Sequence, residues 1–476
     1  MQQLGSNAPQ SRRIYPVTAA VVFALLSMSM AHADELLDLR ERLDAQDQKI
    51  KVLERKLELE AEAKAAAAPS APTVKAGPRG FSFGTPDNAN LIKLRGVLHF
   101  DGRRYFDDVT PSTADTFILR RVRPTLEGTL NGRFDFRFTP DFAGGRTIIL
   151  DAFLAAKFAP WATVTAGKFK VPVGLERLVS ASDLRFIERG FPTSLLPNRD
   201  LGVQVGGDLA GGTVNYSIGY FNGVSDGGSS DASGDVENDT SGDWAARIFV
   251  TPFQSSDVYA LRGFGFGIAG TYVDSTGSAT NTLLPGYRTP GQQSFFSYRS
   301  TSATAQGTYA DGERLRITPQ AYYSNGSFLA LTEYVQVSQD VSRVTAAGTT
   351  RSDSLDHSAW QVQLAWFATG EEQAFRGFKP NSVFSPEDGT WGAIELVARF
   401  HELDIDDDAF VGGSDSFANP ATAATRASAW GVGVNWYLNQ NYKWSLNYDV
   451  TSFDGGAATG DREDEKALFT RFGVNF

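Results

Sequence analysis

The 476-residue sequence predicts an all-β fold, a transmembrane antiparallel β-barrel, preceded by a short N-terminal coiled-coil helix. Three observations lead to this prediction. After Leu91, segments of about ten residues alternate apolar with polar side chains, their connections alternate between short and long, and the chain ends in an aromatic strand at Phe476. A strand that alternates in this way has one dry face and one wet face. Short turns at one rim and long loops at the other are typical of outer-membrane barrels.

The N-terminal residues 1–33 are predicted to be a secretory signal peptide. Arg12 and Arg13 precede an apolar run over residues 17–30, and Ala31-His32-Ala33 follows it. Basic residues, an apolar core and small residues at the cleavage site occur in this order in signal peptides. The apolar run is too short for a membrane anchor. The sequence therefore predicts export, with cleavage after Ala33.

Residues 34–60 are predicted to form a coiled coil, followed by a linker over residues 61–90. Leucine and isoleucine recur at heptad spacing, and charged residues fill the other positions, as in a coiled coil. One set comprises Leu36, Leu43, Ile50 and Leu57, and the other Leu39 and Leu53. Four heptads are marginal for an isolated helix, which favours association with partner chains over a solvated single helix. The linker is predicted from the Ala/Pro composition of residues 61–78.

Residues 91–476 are predicted to form the barrel. Phe134, Phe136 and Phe138 alternate with polar residues in one segment, and the same pattern recurs through to the C-terminus. Tight turns are expected at Pro160 and Pro252, whereas residues 222–243 and 275–294 are expected to be long loops. At roughly 24 residues per strand and connection, this region gives about 16 strands and a water-filled lumen.

Enzymatic and cofactor chemistry has little support in the sequence. The chain contains no cysteine, and His99, His357 and His401 do not lie at metal-ligand spacing from one another. We therefore expect no enzyme activity, no cofactor and no metal site.

The distribution of basic residues indicates an anion path. Residues 91–200 contain 17 basic and 12 acidic residues, whereas residues 201–476 contain 16 and 32. An exported chain rarely meets nucleic acid, so a lumen that attracts anions is the better interpretation. Alternation places on the lumen wall Lys93, Arg95, Arg103, Arg121, Arg123, Arg133, Arg137, Lys168 and Lys170. The same pattern turns Phe169 and Val171 toward lipid or a neighbouring subunit. A lumen that is merely hydrated by mixed charges would also contain such residues.

The segment Val173–Asp200, which follows the two lysines, mixes charged with large apolar residues. A loop in free solvent would not need Leu175, Leu184 or Phe186. We expect this segment to fold inward as a constriction loop, and a structured external loop is the alternative.

The sequence resembles the family of phosphate-selective porins O and P. The resemblance is carried by GKFKVPVGLERL (167–178), FILRRVRPTLEGTLNGRFDFRFTPDF (117–142), ERGFP (188–192), GVNWYLN (433–439) and the terminal Phe476. It implies a homotrimer of 16-stranded barrels, each with its own pore, and some members carry a periplasmic coiled coil. It also implies an arginine ladder, matched here by Arg121, Arg123 and Arg137, and constriction lysines, matched by Lys168 and Lys170.

Together these observations predict a porin in the outer membrane of a Gram-negative bacterium, in contact with lipid and with its coiled coil in the periplasm. The expected solutes are small anions, phosphate or similar, and the expected pore-lining residues are Arg95, Arg121, Arg123, Arg137, Lys168 and Lys170. Two alternatives remain open. One is a general or weakly selective porin for other small solutes, and the other is a structural or adhesive outer-membrane anchor.

Overall fold

The structure of the chain is a computed structural model, which describes residues 37–60, 62, 72–78, 80–106, 115–230, 241–375 and 377–476. It divides into two compact units, Met1–Ala71 and Pro72–Phe476. The predicted signal peptide, residues 1–33, lies outside the described residues. Within the described part of the chain, no helix combines the length and the apolar character needed to cross a bilayer.

Among the described residues of the first unit, residues 37–60 form a helix, α1. Its heptad side chains are exposed, with Leu43 at 58%, Ile50 at 51% and Leu57 at 65% of full exposure. Arg42 forms an i,i+4 ion pair with Asp38 at 3.0 Å, a contact that supports an exposed helix only weakly. The apolar seam is therefore uncovered, and its association with other chains remains a prediction.

The second unit contains the strands, together with a one-turn helix α2 (Leu175–Leu178). The strands of the described residues are β1 (Thr73–Gly77), β2 (Gly80–Gly84), β3 (Leu91–Tyr105), β4 (Thr116–Leu130), β5 (Phe134–Asp141), β6 (Ile148–Ala159), β7 (Ala162–Lys170), β8 (Arg199–Leu209), β9 (Val214–Phe221), β10 (Asp243–Val250), β11 (Phe264–Thr276), β12 (Gly286–Arg288), β13 (Ser294–Ser297), β14 (Tyr309–Asn325), β15 (Phe328–Val344), β16 (Thr350–Phe367), β17 (Phe384–Ser385), β18 (Thr390–Trp391), β19 (Ala393–Asp404), β20 (Ala424–Tyr437), β21 (Tyr442–Gly455) and β22 (Glu465–Asn475).

Sixteen of these strands close into an antiparallel barrel. Each strand from β3 to β11, and then β14, β15, β16 and β19 to β22, pairs with its neighbour in sequence. The last strand returns to the first, with Val474 opposite Leu98 and Phe472 opposite Phe100. Closure removes the unpaired edges that would be costly in lipid. The predicted 16-stranded barrel is thus confirmed.

Part of the region assigned to the linker is ordered instead. β1 and β2 form a hairpin, and β2 pairs with the start of β3, with Phe81 opposite Leu94. The Phe81 ring packs edge-on against Phe476, with 6.4 Å between ring centroids. The prediction of a linker over residues 61–90 is wrong for residues 73–84. They complete the edge of β3 that the C-terminal strand leaves unpaired.

The connections define two rims. The turn rim has the short connections 131–133, 160–161, 210–213, 326–327 and 438–441, and the loop rim has the longer ones, including 171–198, 222–242, 277–308 and 405–423. Two connections of the turn rim are longer than expected. The predicted tight turn at Pro252 belongs to a 13-residue connection between β10 and β11, and residues 368–392 include the β17–β18 hairpin.

Loops from the loop rim fill part of the barrel with apolar side chains. Tyr287 and Phe296 of the β12–β13 hairpin stack at 5.4 Å between centroids, and Phe295 packs at 6.0 Å from Phe453 of β21. Val335 of β15 and Ala359 of β16 belong to the same buried cluster. This part of the interior is a packed core, and any aqueous passage is displaced toward the opposite wall.

The connection 171–198 crosses the interior from β7 to the far wall. The Leu175 amide donates to Glu333 Oε2 of β15 at 2.5 Å, the Phe191 amide to His401 Nδ1 of β19 at 3.1 Å, and the Ile187 amide to Asn447 Oδ1 of β21 at 2.8 Å. The prediction that this segment folds inward is confirmed. We call it the crossing loop.

Candidate functional site

A cavity of about 1120 Å³ lies inside the barrel beside the crossing loop. Strands β3 to β8 form one wall, and loop residues Leu178 and Ser180–Asp183 form the other. The lining continues to the turn rim, where Asn439, Gln440 and Phe476 contribute. The cavity therefore occupies the part of the interior that the apolar core leaves open.

Cationic side chains outnumber acidic ones in this lining. Among the described residues, seven cations line the cavity: Arg95, Arg123, Arg137, Lys170, Arg199, Lys379 and Lys443. The acidic lining residues of the same set are Glu127, Asp151 and Asp183. A concave wall of one dominant charge in low-dielectric surroundings raises the local concentration of counter-ions. The cavity thus favours anions.

Two arginines near the turn rim share one carboxylate. Arg137 donates through Nε and Nη2 to Glu127 Oε2 at 3.1 and 2.7 Å, and Arg95 Nη1 donates to Glu127 Oε1 at 3.3 Å. Both arginine side chains remain more than 40% exposed. Because two guanidiniums share one carboxylate, this group of three side chains carries a net positive charge that water can reach.

Three cations deeper in the cavity form hydrogen bonds with the barrel wall or with the crossing loop. Arg123 Nε donates to Asp141 Oδ2 at 2.6 Å, and Arg199 Nε donates to Asp151 Oδ1 at 2.9 Å. Lys170 Nζ instead donates to the Val179 carbonyl of the crossing loop at 2.9 Å. This bond places the Lys170 ammonium where wall and loop meet, with its charge uncompensated by that acceptor.

The sequence expectation for β7 is wrong at Phe169 and Val171. Phe169 lines the cavity, and its ring packs edge-on against Phe153 and Phe221 at 5.9 and 5.4 Å. Val171 is 2% exposed and belongs to the apolar core. The two-residue period predicts that only the polar face of β7 points inward. This barrel packs apolar side chains on part of its inner face, so Phe169 and Val171 also point inward.

Two of the six expected pore residues lie outside the lining of this cavity. Lys168 is 2% exposed and lies opposite Ala152 and Leu201, on the face of β7 away from Phe169. Arg121 is also buried, and its Nη1 donates to His99 Nδ1 at 3.1 Å. Arg95, Arg123, Arg137 and Lys170 all contribute to the lining.

Further arginines serve to fix the crossing loop. Glu188 of the loop accepts from Arg120 Nε at 2.7 Å and from Arg103 Nη2 at 3.0 Å, and it lies 3.7 Å from Arg471 Nη2. Burial raises the pKa of Glu188, but the charges of Arg120 and Arg121 outweigh burial and hold that pKa well below its usual range. We call Glu188 with Arg103, Arg120 and Arg471 the loop latch.

Three lining cations were missed by the sequence analysis. Lys443 alternates with Tyr442 and Trp444 at the start of β21, so the two-residue period could have identified it. Arg199 begins β8 but lies within the segment Val173–Asp200, for which the sequence analysis predicts a constriction loop. Lys379 lies in the connection 368–392, which has no periodicity and therefore gave no signal.

Comparison with known proteins identifies the family. A family model described as phosphate-selective porin O and P matches residues 92–476. Porin O of Pseudomonas aeruginosa is 27% identical over 176 residues, which cover 37% of this chain and only 37% of that relative.

Solved structures agree on the fold. The outer membrane channel DcaP of Acinetobacter baumannii matches with a TM-score of 0.52 and 13% identity, over 84% of this chain and 100% of that one. An anion-selective porin from Comamonas acidovorans matches with a TM-score of 0.50 and 12% identity, over 81% and 100%. The chain therefore belongs to the phosphate-selective porin O and P family of outer-membrane porins.

Proposed function

We propose that this porin passively conducts small anions, phosphate among them, through the cavity beside the crossing loop. The observation that supports the proposal is the excess of cationic over acidic side chains in the lining. The Comamonas acidovorans porin of similar fold is described as anion-selective, and the family description names phosphate.

The charges would act by attraction without tight binding. Arg95 and Arg137 present exposed guanidiniums near the turn rim, and Lys170 and Arg123 present charges deeper in the cavity. Arginine offers a planar fork to phosphate oxygens, and lysine offers a compact charge. Glu127 neutralises part of the first pair, which helps a bound anion to leave, and conduction requires such release.

The decisive experiment is a reversal-potential measurement in a planar bilayer under a KCl gradient. Anion preference is expected, followed by partial block of the chloride current when phosphate is added. A cation preference would refute the anion proposal. Anion preference without phosphate block would refute phosphate as a solute and favour a weakly selective porin, and a folded barrel without conductance would favour the structural anchor.

Two charge-reversal variants test whether anions pass close to Lys170. Lys170→Glu is expected to reduce the anion preference, because it places a negative charge where wall and loop meet. Arg104→Glu is the matched control, since Arg104 is exposed at the end of β3 and lies outside the cavity lining. An equal effect of both variants would show that Lys170 does not act on the passing ion.

The proposed assembly is a homotrimer with α1 in the periplasm. The exposed apolar seam of Leu43, Ile50 and Leu57 supports association through the helix, because such a seam is stable only when covered. Native mass spectrometry of the detergent-purified protein is expected to show trimers, and Ile50→Lys is expected to weaken them. Exclusively monomeric protein would contradict the assembly.

A further inference from the structure

The cavity contains an aromatic surface next to its cations. Phe153 and Phe169 both line it, with ring centroids 5.9 Å apart and planes at 71°. The Arg137 guanidinium carbon lies 5.7 Å from the centre of the Phe153 ring. Phe169 is 7% exposed and is supported from behind by Phe221 at 5.4 Å.

The backbone of β7 approaches the backbone of β6 closely at Phe153. Phe153 lies opposite Gly167, and a Cβ at that glycine would come within 2.8 Å of the Phe153 Cα and 2.3 Å of the Ala152 carbonyl oxygen. Gly167 also has a φ of 125°, which disfavours any larger residue. The strand pair is therefore built so that a glycine, and no side chain, faces Phe153.

Inorganic anions gain little from such a surface. The face of a phenylalanine ring carries partial negative charge and offers no hydrogen-bond donor. A hydrated phosphate or chloride that passes Phe153 loses contact with water on that side. The ring offers it neither a hydrogen bond nor a positive charge to compensate for this loss. A solute with its own flat apolar part would instead pack against the ring.

We propose that the preferred solutes of this porin are carboxylates that carry an aromatic ring. This inference depends on the proposed anion conduction and specifies its substrate class. The ring packs on Phe153, while the carboxylate lies toward Arg137, whose Nη1 takes no part in the two bonds to Glu127. Phe169 supports the Phe153 ring from one side, because Phe169 packs in turn against Phe221.

The test uses the full-length porin in a planar bilayer and compares how four solutes block the chloride current. Benzoate, acetate, cyclohexanecarboxylate and benzyl alcohol separate the contributions of charge, apolar bulk and aromaticity. Benzoate is expected to half-block at a concentration about three- to tenfold lower than either other carboxylate, a range typical of one aromatic contact. Benzyl alcohol is expected not to block, because it has no charge.

Equal potency of benzoate and acetate would overturn the proposal, and so would equal potency of benzoate and cyclohexanecarboxylate. Block by benzyl alcohol at the benzoate concentration would overturn it as well. None of these outcomes refutes anion conduction, which fails if the reversal potential shows cation preference or if the folded barrel does not conduct. The two proposals therefore fail separately.

Two variants test whether the Phe153 ring causes the preference for benzoate. Phe153→Leu is expected to bring benzoate to within about twofold of acetate, while block by phosphate stays unchanged. Phe158→Leu is the matched control, because Phe158 is on the same strand, is 74% exposed and lies outside the cavity lining. A benzoate preference that survives Phe153→Leu would refute the assignment, and the four-solute comparison on the unmodified protein decides the proposal if that variant does not fold.

Discussion

The two sides of the barrel interior have the same strand geometry, but one side lines a cavity and the other side lines an apolar core. The wall from β3 to β8 carries Arg123, Arg137 and Lys170 into a cavity, whereas β15 and β16 carry Val335 and Ala359 into a dry core formed with inward-folded loops. We call them the cationic sector and the packed sector. Alternation decides which residues point inward, but the loops decide whether that interior is wet.

The largest expected effect comes from a charge placed in the packed sector. Val335 is fully buried, so Val335→Asp would place an unpaired carboxylate in the apolar core and is expected to cost about 5 kcal/mol or more of unfolding free energy. Urea unfolding in liposomes, followed by the electrophoretic shift of the folded barrel, measures this cost.

Thr125→Asp is the matched control for that variant. Thr125 lines the cavity of the cationic sector, where water and nearby guanidiniums compensate a new carboxylate. Its stability is expected to stay within about 0.5 kcal/mol of the unmodified protein. Similar costs for the two variants would mean that the two sectors are equally wet.

The next effect concerns the loop latch, which joins the crossing loop to β3, β4 and β22. Glu188→Gln would leave Arg103, Arg120 and Arg471 without their shared carboxylate. Removal of one partner from a buried ion pair typically costs about 3–5 kcal/mol. We expect lower stability, together with larger and noisier single-channel currents from a loosened loop. An unchanged current trace in the folded protein would show that the latch does not hold the crossing loop.

A smaller effect is expected at the equivalent carboxylate of the cationic sector. Glu127 also bridges two arginines, but Arg95 and Arg137 are 45% and 41% exposed. Because exposed ion pairs contribute about 0–1 kcal/mol, Glu127→Gln is expected to be nearly neutral for stability. It should increase the anion preference in the reversal-potential measurement. A loss of stability comparable to that of Glu188→Gln would remove the distinction between the two carboxylates.

The sequence predicted the barrel well because large apolar side chains recur on its outer face. Phe134 and Phe138 are 52% and 44% exposed on β5, as the alternation indicated. The inner face is not uniform, and alternation alone could not show that Phe169 packs inward. Nor could it show that Arg121 is buried beside His99, because the depth of the crossing loop depends on contacts far apart in sequence.

The smallest effect is expected for a variant of Lys379, the lining cation that had no sequence signal. Its side chain is exposed in the connection 368–392, so Lys379→Met should leave stability unchanged and lower the anion preference by only a few millivolts of reversal potential. Since an exposed charge acts over about 10 Å at 0.1 M salt and about 3 Å at 1 M, the change should be measurable at 0.1 M and absent at 1 M. Lys75→Met, at an exposed lysine of β1 outside the lining, should change neither value. A shift that persists at 1 M salt would mean that Lys379 contacts the ion directly, and the cationic sector would then extend to the turn rim as a binding surface.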